Sequence, residues 1–210
     1  MLLAGSALFF SPIAVDTCSR KQYKMSSIMS SAEIDLAVRT LLEQIQRIAP
    51  SNASVLIRGG TDLSRKAIAQ KLHALSPRRD APLLAINCAV VNSDQLESLL
   101  FGNEKEAVTN TNLVTNGLIT EADGGTLFID AIEASSGPVQ LRLCHLLDRG
   151  EYCPAHGMRT LSANVRLIAG TACDLQALVL TGRFLDDLLY QFGAVTLRIP
   201  STPEQIKRAM

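Results

Sequence analysis

From Ala32 onward, apolar residues recur at three-to-four spacing: Ile34, Leu36, Ala37, Leu41, Leu42, Ile45 and Ile48. That period predicts an amphipathic helix, with Ser31 as N-cap and Pro50 beyond its end. Ser51-Asn52-Ala53 reads as a turn, and Val55-Leu56-Ile57 as a short β run stopped by Gly59-Gly60. A second helical pattern covers about Ser64 to Leu75 and ends at Ser76-Pro77. Leu83 to Ile86 is a second buried strand, and the polar stretch Asn103 to Asn116 reads as loop. Gly124-Gly125 introduces a third strand, Thr126 to Asp130. Val139 to Leu147 reads as a helix and Val165 to Ala169 as a fourth strand. Leu175 to Tyr190 is helical with a break at Gly182, and Val195 to Ile199 is a fifth strand. Short apolar strands alternating with helices imply an α/β fold on a five-stranded, mostly parallel sheet. No internal repeat or linker divides residues 31–210, which read as one domain.

Composition supports a packed core. The chain has 210 residues, 47% of them hydrophobic and 19% charged, which excludes a disordered or collagen-like chain. Aromatics are 4% and Trp is absent, so Leu, Ile, Val and Ala must build the interior. Lys plus Arg equals Asp plus Glu at 20 each. A net charge of zero gives no global pull toward nucleic acid or anionic membrane. The five Cys, at 18, 88, 144, 153 and 173, are odd in number and form no C-x-x-C. That usage fits a reduced, cytoplasmic protein.

Met1 to Val15 is apolar but makes a poor secretory signal. No Lys or Arg precedes it, Ser6, Ser11 and Pro12 interrupt it, and no clean cleavage site follows. Asp16 does not suit a lipoprotein box before Cys18. The run is too short to span a bilayer. Residues 1–30 read as a disordered or misassigned extension, with Met25 and Met29 as alternative starts.

Strand, Gly-rich turn, helix is the setting of a phosphate loop, G-x-x-x-x-G-K-[ST], whose backbone N–H groups cradle phosphate. The stretch here is Gly59-Gly60-Thr61-Asp62-Leu63-Ser64-Arg65-Lys66. Only the first Gly is in place. Ser64 stands at the second, Arg65 at the Lys and Lys66 at the Ser/Thr. Asp62 sets a carboxylate beside the nest. On spacing alone, a plain strand-to-helix turn and a phosphate loop both stay open.

Longer motifs carry a resemblance. Val55 to Gly59 matches V-L-I-x-G, and His73 to Arg79 matches H-x-x-S-x-R. Asn87-Cys88-Ala89 matches N-C-A, and Leu96 to Lys105 is similar to L-x-E-S-E-L-F-G-H-E-K. Ala122 to Asp130 is similar to A-x-G-G-T-L-F-L-D, and Gly182-Arg183-Phe184 matches G-R-F. From about Ile34 to Pro200 the chain resembles the central AAA+ domain of sigma-54-dependent transcriptional activators, the bacterial enhancer-binding proteins. The resemblance implies a P-loop NTPase-like fold, ATP with Mg²⁺ as ligands, and transcription regulation. It places nucleotide contacts at Gly59 to Lys66, at Asp123, Gly124 and Gly125, and at Asp130, the one Mg²⁺ candidate.

Departures from the pattern shape the functional expectation. The family's G-E-S-G-T-G-K-E keeps only its first Gly here, and an Arg fork is no substitute for a Lys point charge. The Glu after Asp130 is Ala131, leaving no carboxylate there to orient water. Glu133 is two residues away. The sensor Asn aligns with Ala172, and the arginine fingers with Leu185 and Gln191. The G-A-F-T-G-A sigma-contact loop becomes Glu106-Ala107-Val108-Thr109-Asn110-Thr111, which argues against sigma-54 contact. The family's helical lid and helix-turn-helix have no counterpart before Met210. Together these replacements predict a domain that is no enzyme and has no expected cofactor. It would bind neither DNA nor membrane, and would act through contact with a full-length AAA+ activator or with its own copies. A fragment that truly hydrolyses ATP is the alternative reading, and a decayed gene product the third.

Two lesser constellations complete the reading. Cys144, His145, Cys153 and His156 are close in sequence, but their spacing fits no standard pair of zinc-ligand hooks. Arg78-Arg79, between Pro77 and Asp80, reads as a solvated turn.

Overall fold

The computed structural model describes residues 31–103, 116–155, 157 and 159–200. The extension 1–30, the rewritten loop Glu106 to Thr111, and His156 lie outside those residues.

Helix α1 (Ser31–Ile48) leads into β1 (Val55–Arg58) and α2 (Asp62–Ala74). Then come β2 (Leu83–Asn87), α3 (Ser93–Phe101), the one-turn α4 (Leu118–Glu121) and β3 (Thr126–Asp130). A 3₁₀ turn at Ile132–Ala134 precedes α5 (Gly137–Arg149). The short strands β4 (Glu151–Tyr152) and β5 (Leu161–Ser162) form an antiparallel pair. The chain continues through β6 (Arg166–Thr171), α6 (Leu175–Leu180), α7 (Asp186–Gly193) and β7 (Thr196–Arg198).

The main sheet has five strands in the order β2-β3-β6-β1-β7, every pair parallel. Parallel neighbours need crossovers, and helices supply them on both faces. Both faces are therefore buried, which is why β3 and β6 are buried at every position and why their centres, Leu127 to Ile129 and Leu167 to Ala169, are continuous apolar runs. Side-chain alternation divides the core in two. Val55, Ile57, Phe128 and Ile168 face α1 and α2, packing with Leu41, Ile45, Ile68 and Leu72. Leu56, Leu127, Ile129 and Leu167 face the other way, onto Leu96, Leu100, Leu143, Leu188 and Phe192. Each fully buried Leu or Ile contributes roughly 1.5–3 kcal/mol over its exposed state.

Helix α2 starts two residues before the expected Ser64. Thr61 is its N-cap, and Thr61 and Ser64 exchange side-chain and backbone hydrogen bonds in a capping box. This leaves only Gly59, Gly60 and Thr61 between strand and helix. Helix α5 starts early for a similar local reason: Pro138 fits its first turn. The break expected at Gly182 separates α6 from α7, and Gly182 there takes a left-handed φ of 68°.

Candidate functional site

The carboxyl ends of β1, β3 and β6 meet where the chain leaves β1 for the far edge strand β2 and later returns past β1 to β7, a reversal of direction across the sheet. In open α/β sheets, ligands bind at such a point. Gly59 and Gly60, with φ of 87° and 64°, turn the chain from β1 into α2. Only glycine adopts two consecutive left-handed conformations at little cost.

Arg65 dominates this corner. Its Nε donates to Asp130 Oδ1 at 2.6 Å and its Nη2 to Asp130 Oδ2 at 3.1 Å. Nη2 also donates to Asp62 Oδ1 at 2.7 Å. Nη1 donates to the carbonyls of Gly59 and Gly60, at 3.2 and 3.0 Å. A guanidinium has five N–H donors, and here five acceptors meet it. Arg65 and Asp130 are 2% and 3% exposed, so water contributes little to solvating the pair. Burial by itself pulls the Arg65 pKa down. The hydrogen bond and charge of Asp130, with Asp62 and Glu133 behind it, outweigh burial and hold the group above its ordinary value. A two-pronged Arg–carboxylate pair of this kind fixes both partners, and deleting either partner of a buried pair costs roughly 3–5 kcal/mol.

Gly170 makes room for the pair. A Cβ there would fall on Asp130 Oδ1 and crowd the Phe128 ring. Below Asp130, the Cys88 thiol is 2% exposed, and the Cys88 N–H donates to the Asp130 carbonyl at 2.9 Å. Burial, then the charges of Glu133 and Asp130, push that thiol up to about 12.

The remaining expected site residues fall in three places. Lys66 and Leu63 are exposed on α2. Ala131, in the left-handed conformation at φ 49°, adjoins Asp130. Glu133 follows in the 3₁₀ turn, its Oε2 buried without a hydrogen-bond partner. Asp123, Gly124 and Gly125 do not reach the corner. They precede β3 at its amino end, a strand's length of about 3.3 Å per residue away. There Asp123 Oδ1 accepts from the Asn164 N–H, and Gly125 O from Arg78. Proximity in the motif does not survive a strand that crosses the whole sheet.

Ala172 is exposed just past β6. Leu185 is the N-cap of α7, and Gln191 in that helix has a buried Oε1 without a partner. Two buried polar residues were missed by pattern reading. Gln140 donates to Ser135 O and Arg183 O and accepts from the Leu185 N–H, tying α5 to the turn before α7. Arg166 holds the end of α1. Their one signal is a polar residue inside an apolar run. Cys144 is buried in α5 while His145 on the same helix is exposed. Among the described residues no three His, Cys, Asp or Glu side chains cluster to hold a metal, and no helix is long and apolar enough to cross a membrane.

Residues 32–198 match the family model described as the Sigma-54 interaction domain. The chain belongs to that family. It is 43% identical over 165 residues to the transcriptional regulatory protein ZraR of Salmonella typhimurium, covering 79% of this chain and 37% of ZraR. It therefore spans little more than a third of that relative's length. Its fold is similar to that of NtrX from Brucella abortus. The structure of NtrX in complex with ATP gives a TM-score of 0.72 at 27% identity, covering 79% of this chain and 35% of NtrX. The structure in complex with ADP gives 0.73 at 26%, covering 83% of this chain and 37% of NtrX. The P-loop NTPase domain of an E. coli sigma-54 transport activator matches at a TM-score of 0.56 and 16% identity, covering 83% of this chain and all of that domain. The architecture is thus the AAA+ P-loop NTPase fold of sigma-54 transcription regulators.

Membership corrects one expectation, that the chain is no enzyme. Members of the family are ATPases, and NtrX is solved with ATP and with ADP. The expectation counted replaced motif residues. The chain nevertheless keeps the turn, the α2 N-terminus and Asp130 together at the carboxyl edge of the sheet.

The corner also bears on Mg²⁺. Both Asp130 oxygens are taken by Arg65, so a divalent cation does not fit on this carboxylate in the arrangement observed.

Proposed function

We propose that this domain regulates sigma-54-dependent transcription in the cytoplasm by contacting subunits of a full-length AAA+ activator. Its ligand is an adenine nucleotide at the Gly59–Arg65 corner. The observation that supports this best is the family match over 32–198 combined with the glycine turn, α2 N-terminus and Arg65 gathered at one edge of the sheet. Helix N-termini and Arg forks both favour phosphate. Nucleotide and protein contact belong together because the corner joins three strands and α2, so a change there moves the faces those elements carry.

The test uses the full chain, tagged, with an intact AAA+ activator and with or without ATP. Co-purification that ATP alters is the expected result. A folded chain that captures no activator under either condition overturns the reading. NtrX with ATP and ADP favours a second reading, in which the domain hydrolyses ATP itself and remodels the sigma-54 complex. Phosphate release that rises steeply with the domain's own concentration distinguishes it.

A further inference from the structure

We infer that Asp62, Arg65 and Asp130 form an internal ion triad that closes the nucleotide corner, and that a nucleoside polyphosphate enters by displacing the Asp62 carboxylate from Arg65 without needing a divalent cation. This rests on the nucleotide reading above and specifies how the ligand is taken.

The triad is graded by burial. The Asp130 side chain is 5% exposed and the Arg65 side chain 3%, but Asp62 is 74% exposed. The inner pair is a two-pronged contact shielded from water. The outer one is a single contact between Nη2 and Oδ1 at the surface. The Asp62 carboxylate stays largely in water and gains less from its contact than Asp130 does from the inner one, so the outer bond is the exchangeable one. A phosphate group offers Nη2 an anionic oxygen acceptor, as the Asp62 carboxylate does, with more oxygens and more charge. Asp62 is also the first residue of α2. A phosphate taking its place sits at the positive end of a 13-residue helix.

Polarity at the corner supports the same direction of exchange. A phosphate nest presents backbone N–H groups inward. Here the carbonyls of Gly59 and Gly60 point inward, onto a cation. The guanidinium thus covers both carboxylate oxygens of Asp130, the atoms a cation would need. It is permanently charged. For a divalent cation to replace it on Asp130, both inner bonds must break and a buried guanidinium must be left with two carbonyls and Asp62. Exchanging Asp62 leaves the inner pair, the glycine turn and the capping box untouched.

A fluorescent ATP analogue titrated into the full chain tests the triad, once in EDTA and once in Mg²⁺. The expected result is an affinity equal within about twofold in the two buffers. Asp62→Asn, an exposed change that keeps the cap, is expected to tighten binding about tenfold by removing a charge next to the phosphate. Inorganic pyrophosphate is expected to compete in both buffers. Binding that needs Mg²⁺ overturns the triad while leaving the nucleotide reading in place. Unchanged or weaker binding by Asp62→Asn does the same. No binding by either protein in either buffer, with circular dichroism intact, removes the nucleotide reading and the triad together.

Discussion

At the scale of single residues, Arg65 is where the sequence was most informative and least complete. The replacement of Lys was visible, and so was the carboxylate at Asp62. That Asp62 and Asp130, with the Gly59 and Gly60 carbonyls, would saturate the Arg65 guanidinium was not visible, because 65 residues separate Arg65 from Asp130 and only the parallel sheet brings them together. Cys88 sits under the same corner and makes the electrostatics measurable. Its thiol, near 9 in the open, is pushed up to about 12 by burial and then by Glu133 and Asp130. A group whose folded-state pKa is raised holds its proton longer when folded. Its contribution is whole below about pH 9 and is lost as the pH rises through 12. Between pH 9 and 11 the protein is expected to lose about 2 kcal/mol more stability than Cys88→Ala. Urea midpoints across that range give the comparison, and parallel profiles for the two proteins would refute it.

At the scale of elements, what could be read was what periodicity carries. The helix α1, the glycine turn after β1 and the run Thr126 to Asp130 were legible because long apolar periods and fully buried strands leave strong patterns. The early start of α2 was hidden because Thr61 pairs with Ser64 rather than with the Glu or Gln of the usual capping box. The two-residue strands β4 and β5 are too short to show any period. The attachment of α1 was hidden for another reason. Its end is held by Arg166, on a strand 117 residues away in sequence from Ala49. Arg166 is 1% exposed and donates to the carbonyls of Ile48, Ala49 and Ala53. Burial, and then the charge of Arg78, lower its pKa, and the helix-end carbonyls offset the cost of the buried cation. Arg166→Met leaves three carbonyls without that donor. It is expected to cost about 3 kcal/mol in urea unfolding, with amide exchange rising first in α1. A loss below about 0.5 kcal/mol, within the range of ordinary surface changes, would show that the clasp is dispensable.

At the scale of the whole molecule, the two most exposed large apolar side chains among the described residues sit on neighbouring helices. Leu180 at the end of α6 is 86% exposed, and Tyr190 in α7 is 84% exposed. Both helices are anchored inward, α6 by Leu175 and α7 by Leu188 and Phe192, so neither exposed residue is needed to hold its helix. Single exposed apolar residues are ordinary on protein surfaces. These two flank the segment Gly182 to Leu185, which Gln140 fixes to α5 through the Arg183 carbonyl and the Leu185 N–H. A rigid segment bordered by exposed Leu and Tyr presents a low-entropy contact surface, and buried aromatic anchors dominate many interfaces. The proposed contact with an activator subunit therefore predicts a separation of two quantities. Leu180→Asp and Tyr190→Asp are each expected to leave the urea midpoint within about 0.5 kcal/mol of the parent, as surface changes do. Each is also expected to lower co-purification with the intact activator about tenfold, the loss of a single interface anchor worth more than 1 kcal/mol. Capture that survives both substitutions would move the contact to another face of the domain. Capture lost together with stability would show instead that α6 and α7 depend on these side chains to fold.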